Sequence, residues 1–376
     1  MTFSFPAPSA LCPVYASAVC GALWGCALGD SLGYPVETLS TSDMLQRYGV
    51  ENAQGLLAAL SAGSLKISDD TQLTLYTLDG LSEVLEWNNE GQAADELACI
   101  WLAYLRWYRA TGNPYPDTAP FMLSRPLDEL PAMAAHRHPG KATLAALATG
   151  EMQFMAKNVN PQALGTGALV RSAVFGFLPV ADDATVIKLS AHAAALTHGH
   201  PEAVASASAY ALLVRYLLAS HQVQLAAPGR SALEAVLAWA QTVEGKQTLP
   251  GDAALTIAAL ETALSCMDGG VQLDKAAAAF GDLWLAPGVL GFGAYLLVWA
   301  EARATAGEKV EQVAQQALAA AVAIDGDSDS VAALTGTLLG AFLTDEAFDQ
   351  QLLHSTDAED ALHLVTANWF KQLGIA

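Results

Sequence analysis

Glycines stand at every fourth position in Gly21, Gly25, Gly29 and Gly33, inside a stretch whose apolar spacing reads as a helix from about Ala16. Residues four apart share one face of a helix, so this spacing makes a face without side chains that lets a second helix backbone come close. In a membrane the pattern would mark helix dimerisation, but Asp30 within it and the lack of a span favour dense packing in a bundle. Apolar positions recur at spacings of three and four through most of the chain, Ala is abundant, and 53% of residues are hydrophobic. The expectation is therefore an all-α fold, a compact single-domain multi-helix bundle.

The 376 residues could hold two domains by length, yet no linker, charge block or shift of composition marks a boundary. Residues 1–14 carry three prolines, two Phe and no charge, and read as an extended N-terminal arm with a possible partner-binding role. Residues 15–376 read as the helical domain. The formal charge of −21, from 17 Lys+Arg against 38 Asp+Glu, repels nucleic acid and anionic membranes and suits a basic protein partner or a cationic substrate. Five cysteines without a C-x-x-C spacing read as reduced thiols in a cytoplasm. The apolar stretch from Val14 to Leu28 lacks the basic flank of a signal peptide, since the first basic residue is Arg47. No uncharged apolar run reaches a bilayer's width, the best being Val289 to Ala300.

Two acidic-hydroxyl clusters carry the chemistry: Ser68-Asp69-Asp70-Thr71 and Asp325-Gly326-Asp327-Ser328-Asp329-Ser330, each opening a helix-like apolar stripe. Each could be an ordinary helix cap. A cap needs one such side chain, however, and each turn crowds carboxylates whose repulsion a cation would relieve. Carboxylates and hydroxyls are hard oxygen donors suited to Mg²⁺, Mn²⁺ or Ca²⁺, so the clusters read as two halves of one metal site at helix ends. A calcium loop beginning at Asp325 fails, because its sixth position is Ser330 and its twelfth is Gly336. The second helix is expected to begin at Ser330. Residues 113–140 contain six prolines and read as a long loop ending at His136-Arg137-His138, of a kind that often covers a site. The stretch 281–293 reads as a further interruption, and Trp101, Tyr104, Trp107 and Tyr108 as an aromatic face that packs the core more readily than it stacks on a base.

Taken in order, these motifs resemble the ADP-ribosylglycohydrolase family. Gly25 to Gly33 with Glu37 is similar to its opening G-D-x-x-G…E, Ser68-Asp69-Asp70-Thr71-Gln72 to its T-D-D-T-Q, and Gly326-Asp327-Ser328-Asp329-Ser330 with Gly336 and Gly340 to its G-D-T-D-T…G…G. Pro139-Gly140 with Thr143, Gly165 to Arg171, and Leu196-Thr197-His198-Gly199 fall between them in the family's order. Ser68 and Ser330 replace threonines and keep the hydroxyl; Asp325, Thr166 and Val174 depart from the pattern. The resemblance implies that Ser68, Asp69, Asp70, Asp327, Asp329 and Ser330 hold two Mg²⁺ or Mn²⁺ ions. It also implies that Glu37 and Asp69 carry proton transfer, and that Gly165, Thr166, Gly167 and His198 contact substrate. The implied activity is hydrolysis of ADP-ribose from modified protein side chains, arginine first. The alternative is an immunity or binding protein that neutralises an ADP-ribosyltransferase by contact, with or without hydrolysis.

Overall fold

The computed structural model describes residue 11 and residues 13–223, 225–249 and 253–375. Among them are nineteen α-helices and five short 3-10 helices. The β pairing found there is confined to the isolated bridges Leu65 with Thr356 and Phe154 with Lys157. The frame is built from α1 (Pro13–Gly33), α2 (Asp69–Asn89), α3 (Glu96–Ala110), α4 (Pro201–Ser220), α5 (Ala286–Thr305), α6 (Ser328–Leu343) and α7 (Glu359–Leu373). Of the expected arm, residues 1–10 and 12 lie outside the described residues. Its last two, Pro13 and Val14, already belong to α1, since proline is tolerated in a first helical turn.

The glycine face finds its partner in α6, in antiparallel register. A Cβ on Gly25 would stand 2.2 Å from the carbonyl oxygen of Gly336, one on Gly29 2.0 Å from that of Ala332, and one on Gly340 1.9 Å from that of Gly21. Backbone lies on backbone along the whole seam, so any side chain there would have to push the helices apart. The seam also fixes where the helices end. Gly33, the last residue of α1, meets Ser328 and Asp329 at the start of α6.

At the centre, α4 is buried along its length, with α5 and α6 among the helices packed against it. It is long and apolar enough to cross a membrane, yet lies wholly inside the protein. A count of uncharged runs misses it because Arg215 interrupts it, a buried cation paired with Asp183 at 2.8 Å. The expected interruption at 281–293 is corrected: α5 begins at Ala286 and takes in Gly288, Gly291 and Gly293. These glycines serve close packing, since a Cβ on Gly293 would stand 2.1 Å from Leu334 Cδ2 and one on Gly291 2.8 Å from Ala259 Cβ.

The aromatic face of α3 is core: Trp101, Tyr104, Trp107 and Tyr108 are all buried. Trp107 Nε1 donates to Gln72 Oε1 at 2.9 Å, and Gln72 Nε2 donates to the carbonyls of Ala132 at 2.6 Å and Ala135 at 2.9 Å. The proline-rich segment contains the short helices Pro126–Glu129 and Pro131–Ala134. It is tied to the frame by Arg106, which pairs with Asp79 at 2.5 Å and Asp128 at 2.8 Å, and by Arg125, which pairs with Asp79 at 3.0 Å and Glu86 at 2.8 Å.

Candidate metal centre

Three chain segments meet at one end of the bundle: the end of α1, the start of α2 and the start of α6. Asp30, fully buried on α1, joins the first two. Its carboxylate accepts the Ser68 N–H at 2.9 and 3.0 Å, the Thr71 N–H at 3.1 Å, and the Thr71 hydroxyl. These are free amides of a helix start, which a carboxylate satisfies and whose positive end it favours. Ser68 is the N-cap of α2, its Oγ accepting the Asp70 N–H at 3.1 Å.

The second cluster sits on α6, which starts at Ser328 and not at Ser330. Asp327 is its N-cap residue, placing Asp329 and Ser330 in the first turn. The Ser330 hydroxyl donates to Asp70 Oδ2 at 2.6 Å, a direct link between the two clusters across 260 residues. Glu37, just beyond the 3-10 turn Tyr34–Val36, completes a triad in which Glu37, Asp327 and Asp329 each offer an oxygen within 4.8 Å of the others. Asp325 faces elsewhere, accepting the Thr41 N–H at 2.6 Å at the start of the helix Thr41–Tyr48.

Supporting contacts fix this geometry. Asp327 N–H donates to the Leu283 carbonyl at 3.1 Å, and Ala286 N–H to that of Leu164 at 3.0 Å, so the segment before α5 holds both Asp327 and the turn at 164–167. The Thr166 hydroxyl donates to Asp327 Oδ2 at 2.5 Å and so faces the carboxylates. Gly140 N–H reaches Asp69 Oδ2 at 3.3 Å, bringing the end of the proline-rich segment to the site.

The electrostatics are those of anions packed together. Burial, then Asp327 and Asp30, push the Glu37 carboxyl up to about 7. Burial, with Asp30, Asp327 and Glu37 adding to it against the Gly140 hydrogen bond, raises Asp69 to about 8. Asp30 rises to about 6 through burial, in spite of its hydrogen bonds. Asp70 and Asp329 are raised well above the carboxylate range by burial and by their acidic neighbours. The Lys and Arg ion pairs found among the described residues engage other acids. A crowd of oxygen donors of this kind fits a hard divalent cation, which would remove the repulsion.

Beside the carboxylates lies the Gly165–Gly167 turn. A Cβ on Gly165 would meet nothing within 4 Å, whereas one on Gly167 would stand 3.6 Å from His198 Cε1 and 3.7 Å from Thr143 Oγ1. His198 is buried and held neutral, its pKa pushed down to about 3 by burial and then by Arg171. Arg171 Nη2 donates to Thr197 Oγ1 at 2.6 Å, and Thr197 Oγ1 lies 2.7 Å from His198 Nδ1. The Thr197 hydroxyl thus joins the Arg171 guanidinium to the His198 ring and fixes the ring's orientation. Arg171 itself lies over the Tyr104 ring at 4.6 Å, within the core.

The site thus unites the residues expected from the two clusters with Glu37, and places Gly167 and His198 side by side. Asp30, which stands in the opening motif, carries the link between α1 and α2, and Thr166, expected at the substrate, donates to Asp327. No curated protein matches the chain. A solved structure titled "ADP-ribosylglycohydrolase-related protein complex" shares its fold, with a TM-score of 0.58 and 21% identity over 95% of this chain and 98% of that one. The ADP-ribosylglycohydrolase profile matches residues 12–374. The chain belongs to the ADP-ribosylglycohydrolase family.

Proposed function

We propose that the protein hydrolyses ADP-ribose from modified protein side chains, arginine foremost, using two Mg²⁺ or Mn²⁺ ions. The observation that carries this reading is the triad of Glu37, Asp327 and Asp329, joined through the Ser330–Asp70 hydrogen bond to the start of α2. Ser68, Asp69, Asp70, Asp327, Asp329 and Ser330 would hold the ions. When bound, such ions polarise a water and orient ribose hydroxyls.

The chain's own groups supply the rest. Cleavage breaks the bond between the anomeric carbon and the acceptor nitrogen and forms one to a water oxygen, through a transition state of oxocarbenium character. The surrounding carboxylates stabilise that positive charge. Glu37 beside Asp327 and Asp329, and Asp69 beside the Gly140 amide, are the carboxyls assigned to take the water proton and return one to the departing guanidine. Gly165 leaves open space for the diphosphate and ribose, with His198 beside the neighbouring Gly167. The charge of −21 suits a basic, arginine-bearing target.

The contact-only alternative rested on residues 1–14, of which 1–10 and 12 lie outside the described residues, and no observation favours it. Arginine-, serine- and O-acetyl-linked ADP-ribose, assayed with and without Mg²⁺, test the proposal. Release from the arginine conjugate only with metal is expected; equal release in EDTA, or none from arginine, overturns it.

A further inference from the structure

Well apart in sequence from both clusters, His354, Glu359 and His363 place one donor atom each within 4.8 Å of one another. We propose that these three side chains form a separate surface site for a transition-metal ion, Zn²⁺ in particular. His354 follows the short helix Gln350–Leu353, while Glu359 and His363 lie four residues apart on α7 and therefore share one face. His354 Nδ1 stands 2.9 Å from Glu359 Oε1, and His363 Nε2 stands 3.9 Å from the same oxygen. Donors about 2.0–2.1 Å from a tetrahedral zinc stand roughly 3.3 Å apart, so these separations bracket what the ion requires. Two imidazoles and one carboxylate suit zinc better than they suit Mg²⁺, which prefers oxygen alone, and leave a fourth position for water.

The rings are also positioned in advance. Trp24 of α1 meets the His354 ring at 5.0 Å and the His363 ring at 5.1 Å, both edge-on, and the two imidazoles lie within 15° of parallel. All three ligands remain solvent-accessible, with 46%, 41% and 60% of the His354, Glu359 and His363 side chains exposed, so an ion can enter without unfolding.

The site closes a loop with a consequence for the catalytic end. Between His354 and Glu359 lies Asp357, whose N–H donates to the Leu65 carbonyl at 3.0 Å, whose Oδ1 accepts the Ile67 N–H at 3.0 Å, and whose Oδ2 pairs with Arg137 at 2.5 Å. Ile67 immediately precedes Ser68, and Arg137 lies three residues before Gly140. An ion bridging His354 to α7 therefore clamps the segment that holds the approach to Ser68 and Asp69. Zinc acts here as a structural clip on the loop, outside the chemistry.

The test is calorimetric titration of full-length protein with Zn²⁺ in excess Mg²⁺, which occupies the hard-donor site. Wild type and Asp70→Asn should both bind one zinc equivalent that is lost in His354→Gln/His363→Gln. A hundredfold excess over Kd should raise the wild-type Tm by about 3 °C and leave the double variant unmoved. Ni²⁺ or Cu²⁺ should quench Trp24 emission, seen as the part of the quenching absent in Trp24→Phe. Both histidines are surface residues, so the double variant should fold and retain its Mg²⁺-supported activity. An unchanged zinc isotherm in the double variant, or no zinc binding at 100-fold over protein concentration, overturns the proposal. Neither result bears on ADP-ribose release, which tests the other site.

Discussion

Asp325 and Asp327 stand two positions apart and serve different partners. Asp327 shares the triad with Glu37 and Asp329, while Asp325 accepts the Thr41 N–H at the start of the helix Thr41–Tyr48. Asp327→Ala should lower ADP-ribose release at least a hundredfold, in the range seen when a metal or transition-state contact is removed. Asp325→Ala should leave the rate within about twofold and cost about 1 kcal/mol of stability through the lost hydrogen bond to the Thr41 N–H. Equal loss of activity in both variants would show that the two carboxylates are not divided in this way. Ser330 offers a finer comparison because its hydroxyl is what reaches Asp70. Ser330→Thr should keep metal affinity, measured by calorimetry, and Ser330→Ala should weaken it about tenfold or more; equal affinities in the two would rule out a role for the hydroxyl. At this scale residue types were readable from sequence, because two carboxylates and a hydroxyl in one turn exceed what a cap needs. Pairings were not. The Asp30–Ser68 and Thr166–Asp327 contacts span 38 and 161 residues, and only the folded chain decides them.

The seam between α1 and α6 sets the distance between the site's halves. A methyl on Gly25 or Gly336 would have to enter backbone atoms 2.2 or 1.9 Å away, so Gly25→Ala and Gly336→Ala should each cost more than about 2 kcal/mol. Alanine is the better helix former by about 1 kcal/mol, so a net loss isolates the packing term. A urea midpoint no lower than wild type in both variants would show that the seam can open without cost. The four-residue glycine spacing made this contact legible, since a face without side chains has few uses in a helix. The same residue misled at Gly288, Gly291 and Gly293, where irregular spacing resembled a break. There the cause is crowding, by the Phe280 and Asp282 carbonyls at Gly288, Ala259 at Gly291 and Leu334 at Gly293, contacts that only the folded chain makes. Likewise α4 gives little periodic signal because it is buried all round, and a helix without a polar face has no stripe to read.

For the molecule as a whole, the carboxylate cluster makes stability depend on pH and on metal together. Asp30, Glu37 and Asp69 titrate near 6, 7 and 8 in the folded chain, against 3.8 for unfolded Asp and 4.5 for unfolded Glu. Between those limits the folded state binds more protons than the unfolded one, so stability of the metal-free protein falls as pH rises from about 4 to about 8. The overall charge of −21 contributes a slope of the same sign through general repulsion, and a melt of wild type alone would not separate the two. Asp70→Asn separates them. It removes a buried member of the cluster, so in EDTA it should flatten the fall in Tm between pH 5 and pH 8 more than Glu90→Gln, which removes one exposed charge. Mg²⁺ competes with the same protons, so it should raise the wild-type Tm more at pH 8 than at pH 5, and this gain should shrink in Asp70→Asn. If Asp70→Asn and Glu90→Gln give the same slope in EDTA, the pH dependence belongs to the acidic surface and the cluster is not the strained element of the fold. If Mg²⁺ stabilises equally at both pH values, the raised carboxyls are not the groups that receive it.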